Sequence, residues 1–132
     1  MATFHLNSNF HITTLLSERS SREEDFKNPN VVKAVYSPVS KQCLYFSRQS
    51  LPFDRDGVSD YSWYQHIGVY SYRPEALSSF VKLPMARLEQ LEKLEQLRAL
   101  ENQMTIGAIL TGQKLMGVDV PDDIKKVEGA LL

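Results

Sequence analysis

The run His66-Ile67-Gly68-Val69-Tyr70-Ser71-Tyr72, followed at once by Arg73-Pro74-Glu75, decides the fold class. Its first part is rich in β-branched and aromatic residues and reads as a strand from His66 to Tyr72. A helix follows from about Glu75 to Lys82, with Pro74 in a first turn where its missing N–H costs nothing. Leu77, Phe80 and Val81 form its apolar side, and Pro84 ends it. Working upstream, Phe10–Leu16, Val31–Tyr36 and Gln42–Ser47 read as strands, and the short polar loop Ser37–Lys41 makes the last two a hairpin. Between the first two, Ser17–Lys27 is polar and reads as a loop or short helix anchored by Phe26, and Asn28-Pro29-Asn30 is turn chemistry. Leu51–Tyr61, with Pro, Gly and three Asp, reads as an exposed loop. Downstream come one long helix over Ala86–Asn102, a strand over Met104–Leu110, a loop over Thr111–Met116 and a final helix over Asp122–Leu131. Strands that come first and then alternate with helices imply an α/β fold: one mixed sheet with packed helices, in a single domain over residues 1–132.

The long helix poses its own question. Met85, Leu88, Leu91, Leu94, Leu97 and Leu100 recur every three residues. A coiled coil needs an average spacing of about 3.5, and each three-residue step falls behind by roughly 60°. The apolar residues therefore spread around the helix, which should be buried on several sides, between the sheet and another layer or near a subunit interface. Leu-Glu-Gln-Leu occurs at 88–91 and again at 94–97. On one continuous helix the two copies stand roughly 120° apart and cannot face one site together.

Composition excludes several classes. The 132 residues are 42% hydrophobic and 23% charged, so a packed core is expected rather than disorder. Fifteen Lys and Arg against sixteen Asp and Glu leave a net charge of −1, with no electrostatic footprint for nucleic acid or an anionic membrane. Cys43 is the single cysteine, which rules out an internal disulfide and suits a reducing cytoplasm; it reads as a buried strand residue. No apolar run approaches the ~18 residues of a membrane span, and the first residues lack the basic start of a signal peptide. There is no Gly-rich phosphate loop, no dinucleotide fingerprint and no Gly-x-Ser-x-Gly elbow, and the three His with one Cys do not fall at zinc spacing.

A few residues could carry chemistry. Along a regular strand His66, Gly68, Tyr70 and Tyr72 share a face, with Gly68 leaving room for something to approach. The plainer reading is a strand face covered by aromatics. Arg48 ends the third strand, where its planar fork suits a carboxylate or phosphate, or simply stands in water. Asp119 precedes the final helix as a cap or as one ligand of Mg²⁺, and such sites usually need a second carboxylate.

Taken in order, five segments resemble the 3-deoxy-manno-octulosonate cytidylyltransferase (CMP-Kdo synthetase) family. They are Asn28-Pro29-Asn30-Val31-Val32-Lys33; Leu44-Tyr45-Phe46-Ser47-Arg48 with Leu51-Pro52; His66 to Arg73; Leu91 to Leu100; and Gly117-Val118-Asp119-Val120-Pro121-Asp122-Asp123. The resemblance covers roughly Phe10 to Leu131, the C-terminal portion of the family. It implies a nucleotide-diphospho-sugar transferase (Rossmann-like) fold, a cytoplasmic dimer, and a Mg²⁺-assisted attack of the anomeric hydroxyl of Kdo on the α-phosphate of CTP, for lipopolysaccharide synthesis. Carried over to this chain, His66 and Tyr70 line the acid-sugar pocket, and Glu95 and Gln96 bind the sugar hydroxyls. Arg48 helps to hold the sugar or shapes its pocket, and Asp119 is one of two Mg²⁺ carboxylates. The second Leu-Glu-Gln-Leu copy is chosen because Arg98-Ala99-Leu100 follows it, as in the family.

The departures set the remaining expectations. The family's Arg-, Gly- and Lys-bearing phosphate loop has no counterpart before Phe10, and the segment with the other metal-binding Asp is missing. Val120 replaces a Thr that would cap the final helix, and Ser37-Pro38-Val39-Ser40 replaces an Asp- and Gly-containing turn. The chain is therefore expected to supply the half that binds Kdo or a related acid sugar, to use CTP only beside an N-terminal half, and to be inactive alone. Its uncovered sheet edges and apolar helix faces should drive homodimer formation. A non-enzymatic dimerisation or binding module on the same sheet is the alternative.

Overall fold

The computed structural model describes residues 2–57 and 59–112. Asp119 and the expected final helix over Asp122–Leu131 lie outside them, as does most of the expected Thr111–Met116 loop. Among the described residues five strands carry the fold: β1 (Ile12–Ser20), β2 (Lys33–Ser37), β3 (Gln42–Ser47), β4 (Ser62–Tyr72) and β5 (Ile106–Leu110). The same described residues form four short helices: α1 (Ala2–Leu6), α2 (Pro74–Phe80), α3 (Arg87–Glu92) and α4 (Gln96–Glu101). The sheet is mixed, as expected: β1 runs antiparallel to β4 and parallel to β5, and the other pairs are antiparallel. Its strands follow the order β1-β4-β2-β3-β5 and close from β5 back onto β1. This corrects the expectation of uncovered sheet edges, because each strand has a neighbour on both sides. Apolar side chains do remain exposed along and after α2 and on α3, at Leu77, Val81, Met85 and Leu91.

β1 extends past Leu16 through the polar Ser17-Glu18-Arg19-Ser20. Tertiary contacts override the local sequence here: the Arg19 guanidinium bonds Asp25 at 3.0 Å, also reaches Glu23 and Gln65, and lies 5.6 Å over the ring of Trp63. Phe26 is buried in a 3-10 turn over Glu24–Lys27, as anticipated, and packs on Trp63. The helix α1 was not anticipated. Arg73 fastens its end, with Nε donating to Phe10 O at 2.9 Å and Nη2 to His5 O at 3.1 Å.

The core lies on the side of the sheet that meets the helices. Ile12, Leu16, Phe46 and Ile106 from strands are fully buried against Phe80, Leu94, Leu97 and Ala99. Cys43 is also there, fully buried as expected. The single long helix over Ala86–Asn102 does not form. Lys93 adopts the left-handed conformation (φ 57°) and ends α3, and α4 starts afresh after Glu95. The break resolves the three-residue Leu pattern. Leu94 and Leu97 turn into the core, whereas Leu91 remains 65% exposed. One straight helix would have carried its apolar residues around to solvent.

Candidate functional site

The site begins with an irregularity between β1 and β4. Thr14 pairs with Tyr70 while the next residue, Leu15, pairs with Ile67, so Gly68 and Val69 stand out in a bulge. Strict alternation fails there, yet His66, Tyr70 and Tyr72 pair with Leu16, Thr14 and Ile12, which share one buried face of β1. Gly68 lies in the bulge itself and is exposed; a Cβ added there would meet nothing within 4 Å. The open space anticipated at this glycine is present. Thr14, fully buried, fills the bulge from beneath, with its hydroxyl 2.7 Å from Val69 O and 3.0 Å from Ile67 O.

His66 is enclosed by this arrangement. Its Nε2 lies 3.1 Å from the Thr14 hydroxyl, the ring of Phe46 meets it edge-on at 4.9 Å, and Tyr70 lies 5.4 Å away. Burial pushes the imidazole down to about 4, so the ring is neutral at pH 7. Tyr70 continues an aromatic row through Tyr72 to Phe80. Burial raises its phenol far above the usual range, and the neighbouring Tyr72 and the charge of Glu95 push the same way. Tyr70 therefore keeps its proton and can act as a donor.

Helix α4 supplies the other wall. Gln96, in its first turn, is 8% exposed and brings Nε2 to 3.4 Å from His66 Nδ1. Glu95, one residue earlier, is out in solvent, near enough for its charge to act on both Tyr70 and Tyr72. The structure thus brings His66, Tyr70, Glu95 and Gln96 together. It also separates the two Leu-Glu-Gln-Leu copies by task. In the first, Glu89 is buried; its carboxylate accepts from Ala86 N at 2.9 Å and from Arg98. Only the second copy faces His66.

Arg48 does not join the cluster. Its Nε donates to Glu92 O at 2.7 Å, Nη1 to Pro29 O at 3.0 Å and Nη2 to Lys93 O at 3.2 Å, while its N–H donates to the Glu92 carboxylate at 3.1 Å. The guanidinium therefore holds the end of α3 and the left-handed Lys93, which sets where α4 begins. Lys33 supports it from below. It is fully buried, and its Nζ donates to Arg48 O at 2.9 Å and Asn28 O at 2.6 Å. Sequence reasoning missed Thr14, Lys33, and the pairing of Glu89 with Arg98. Among the described residues no group of three or more His, Cys, Asp or Glu could hold a metal, and Asp119 lies outside them.

The decisive comparison is with a family model described as cytidylyltransferase, which matches residues 2–106. The chain belongs to the cytidylyltransferase family. Among curated cytidylyltransferases, the 3-deoxy-manno-octulosonate cytidylyltransferase of Thermodesulfovibrio yellowstonii is 46% identical over 130 residues, 95% of this chain and 50% of that protein. The 8-amino-3,8-dideoxy-manno-octulosonate cytidylyltransferase of Shewanella pealeana is 46% identical over 109 residues, 83% of this chain and 44% of that protein. A solved structure of CMP:2-keto-3-deoxy-manno-octonic acid synthetase complexed with CTP superposes with a TM-score of 0.83 at 28% identity, covering 98% of this chain and 52% of that one. This chain thus has the α/β fold of about half of that synthetase. The chain spans about half the length of the cytidylyltransferases it matches. No helix among the described residues is long and apolar enough to cross a membrane.

Proposed function

We propose that these residues form the acid-sugar half of a cytidylyltransferase that joins CMP to Kdo or a closely related 3-deoxy acid sugar and releases pyrophosphate. The supporting observation is the neutral His66 and Gln96 in contact under an open bulge, with Tyr70 and Glu95 beside them. In the reaction the anomeric hydroxyl attacks the α-phosphorus of CTP. A new P–O bond forms, the bond to pyrophosphate breaks, and the hydroxyl proton passes to solvent water. The residues described act by holding the sugar in line. Glu95 accepts hydrogen bonds from the sugar hydroxyls, Gln96 donates and accepts them, Tyr70 donates, and Arg48 shapes the pocket by fixing the start of α4. On this reading CTP is recognised by residues outside the stretch matched here. Mg²⁺, when bound, would neutralise charge on the phosphates, with Asp119 as one ligand beside a second carboxylate from those residues.

The test is pyrophosphate release with CTP, Kdo and Mg²⁺, by the chain alone and after addition of the unmatched N-terminal half of a relative. Release only from the mixture, lowered by Glu95→Ala, is expected. Equal release by the mixture and its Glu95→Ala form would overturn the assignment of the sugar site. Release by the chain alone would overturn the placing of CTP recognition elsewhere.

A further inference from the structure

Thr14, His66 and Gln96 form a chain of hydrogen bonds whose direction follows from one hydroxyl proton. The Thr14 hydroxyl lies 2.7 Å from Val69 O and 3.0 Å from Ile67 O. Both are backbone carbonyls, which can only accept. The single hydroxyl proton is therefore committed to the bulge, and only a lone pair remains for His66 Nε2 at 3.1 Å. His66 must carry its proton on Nε2. A neutral ring then presents an unprotonated Nδ1 to Gln96, whose amide nitrogen stands 3.4 Å away and must be the donor.

We infer that Thr14 is a positioning residue: by committing its proton to the bulge it fixes the Nε2–H form of His66 and so turns the Gln96 carbonyl oxygen towards the sugar. That oxygen accepts a hydrogen bond from a hydroxyl of the ligand. The surroundings support this direction. Thr14 is fully buried and Gln96 nearly so, which keeps these bonds out of competition with water. The neutral state of His66 at pH 7 agrees with it. The role of the Gln96 carbonyl rests on the acid-sugar reading above; the form of His66 does not.

The test has two arms. Long-range ¹H–¹⁵N correlation spectra of the histidine-labelled chain, at pH 7.5 without sugar, report which ring nitrogen of His66 carries the proton; His66→Asn identifies the signals. The expected wild-type pattern is Nε2–H, kept in Thr14→Ser and lost or mixed with Nδ1–H in Thr14→Val. An Nδ1–H or doubly protonated ring in the wild-type spectrum overturns the inference, and that spectrum needs no variant to fold. In the second arm Kdo binding is titrated. Thr14→Val should weaken it about tenfold while Thr14→Ser stays near wild type. Unchanged affinity in a folded Thr14→Val chain overturns the link to Gln96. If wild-type protein binds no Kdo, the proposed function fails, and with it the role of the Gln96 carbonyl, while the His66 assignment stands.

Discussion

The Glu89 carboxylate receives two hydrogen bonds from Arg98, from Nε at 2.9 Å and from Nη2 at 2.6 Å, across the break between α3 and α4. On a straight helix, residues nine apart would stand about 13.5 Å apart along the axis. The pair exists because the helix is broken, and in turn it holds the two pieces at their angle. Arg98 also lies 5.0 Å over the ring of Phe80, which ties α2 to the same point. The arginine holds the Glu89 carboxyl below its ordinary range. Glu89→Gln should keep the shape and lose the charge, lowering the thermal midpoint. Glu89→Ala, which also uncaps Ala86 N, should lower it further, while an exposed control such as Glu75→Ala should not. Thermal unfolding followed by circular dichroism makes the comparison, and equal midpoints for all three would contradict it.

Arg48 makes a sharper case, because its three guanidinium bonds go to three different carbonyls. Arg48→Met should cost about 2 kcal/mol in urea unfolding, from the unpaired carbonyls it leaves. Arg48→Lys should not rescue it, since one ammonium lacks the planar fork that reaches all three. Wild-type stability in Arg48→Lys would show that the fork is not needed.

His66 predicts a pH dependence with a definite sign. Its folded value, about 4, lies below the ordinary 6.5, so the unfolded chain takes up a proton first as pH falls. The stability tied to the neutral ring is fully present above about pH 6.5 and is lost progressively towards pH 4. Between pH 7.5 and 5 the loss should be about 2 kcal/mol. Glu89, with its value lowered, contributes in a more acidic window. Urea unfolding at the two pH values, for wild type and His66→Asn, isolates the term. The variant should lose markedly less stability over that interval, and parallel behaviour would contradict the assignment.

Burial raises the Cys43 thiol to about 12 and leaves it no exposed surface. It should resist a disulfide reagent at pH 8 in the folded chain and react fully in denaturant. Prompt stoichiometric labelling of the native protein would show that the core opens at β3.

How much of this was legible in the sequence depends on how local each cause is. The hairpin of β2 and β3, the strand ending at Tyr72 and the Pro-started α2 follow from nearby residues, and they lie close to where pattern and turn chemistry put them. The break at Lys93 does not. The repeated leucines favour helix throughout, and the Glu92 and Lys93 carbonyls that Arg48 captures there lie more than forty positions from it. The same holds for the extension of β1, which rests on Arg19 meeting Gln65 and Trp63. For the site, His66 and Tyr70 were visible as residues of one strand, and Glu95 and Gln96 came from the family resemblance. Thr14 was not visible. A threonine in a strand looks like any β-branched residue until the bulge opposite supplies carbonyls for its hydroxyl.

The central claim is that an acid sugar seats between the β4 bulge and the start of α4. The most direct measurement is a titration of the ¹⁵N-labelled chain with Kdo, followed by amide chemical shifts. Saturable shifts gathered at Gly68–Tyr70 and at Glu95–Gln96, weakened by Glu95→Ala in a variant of unchanged stability, are the result this account predicts. No saturable shift at millimolar sugar, or shifts gathered elsewhere on the chain, would contradict it.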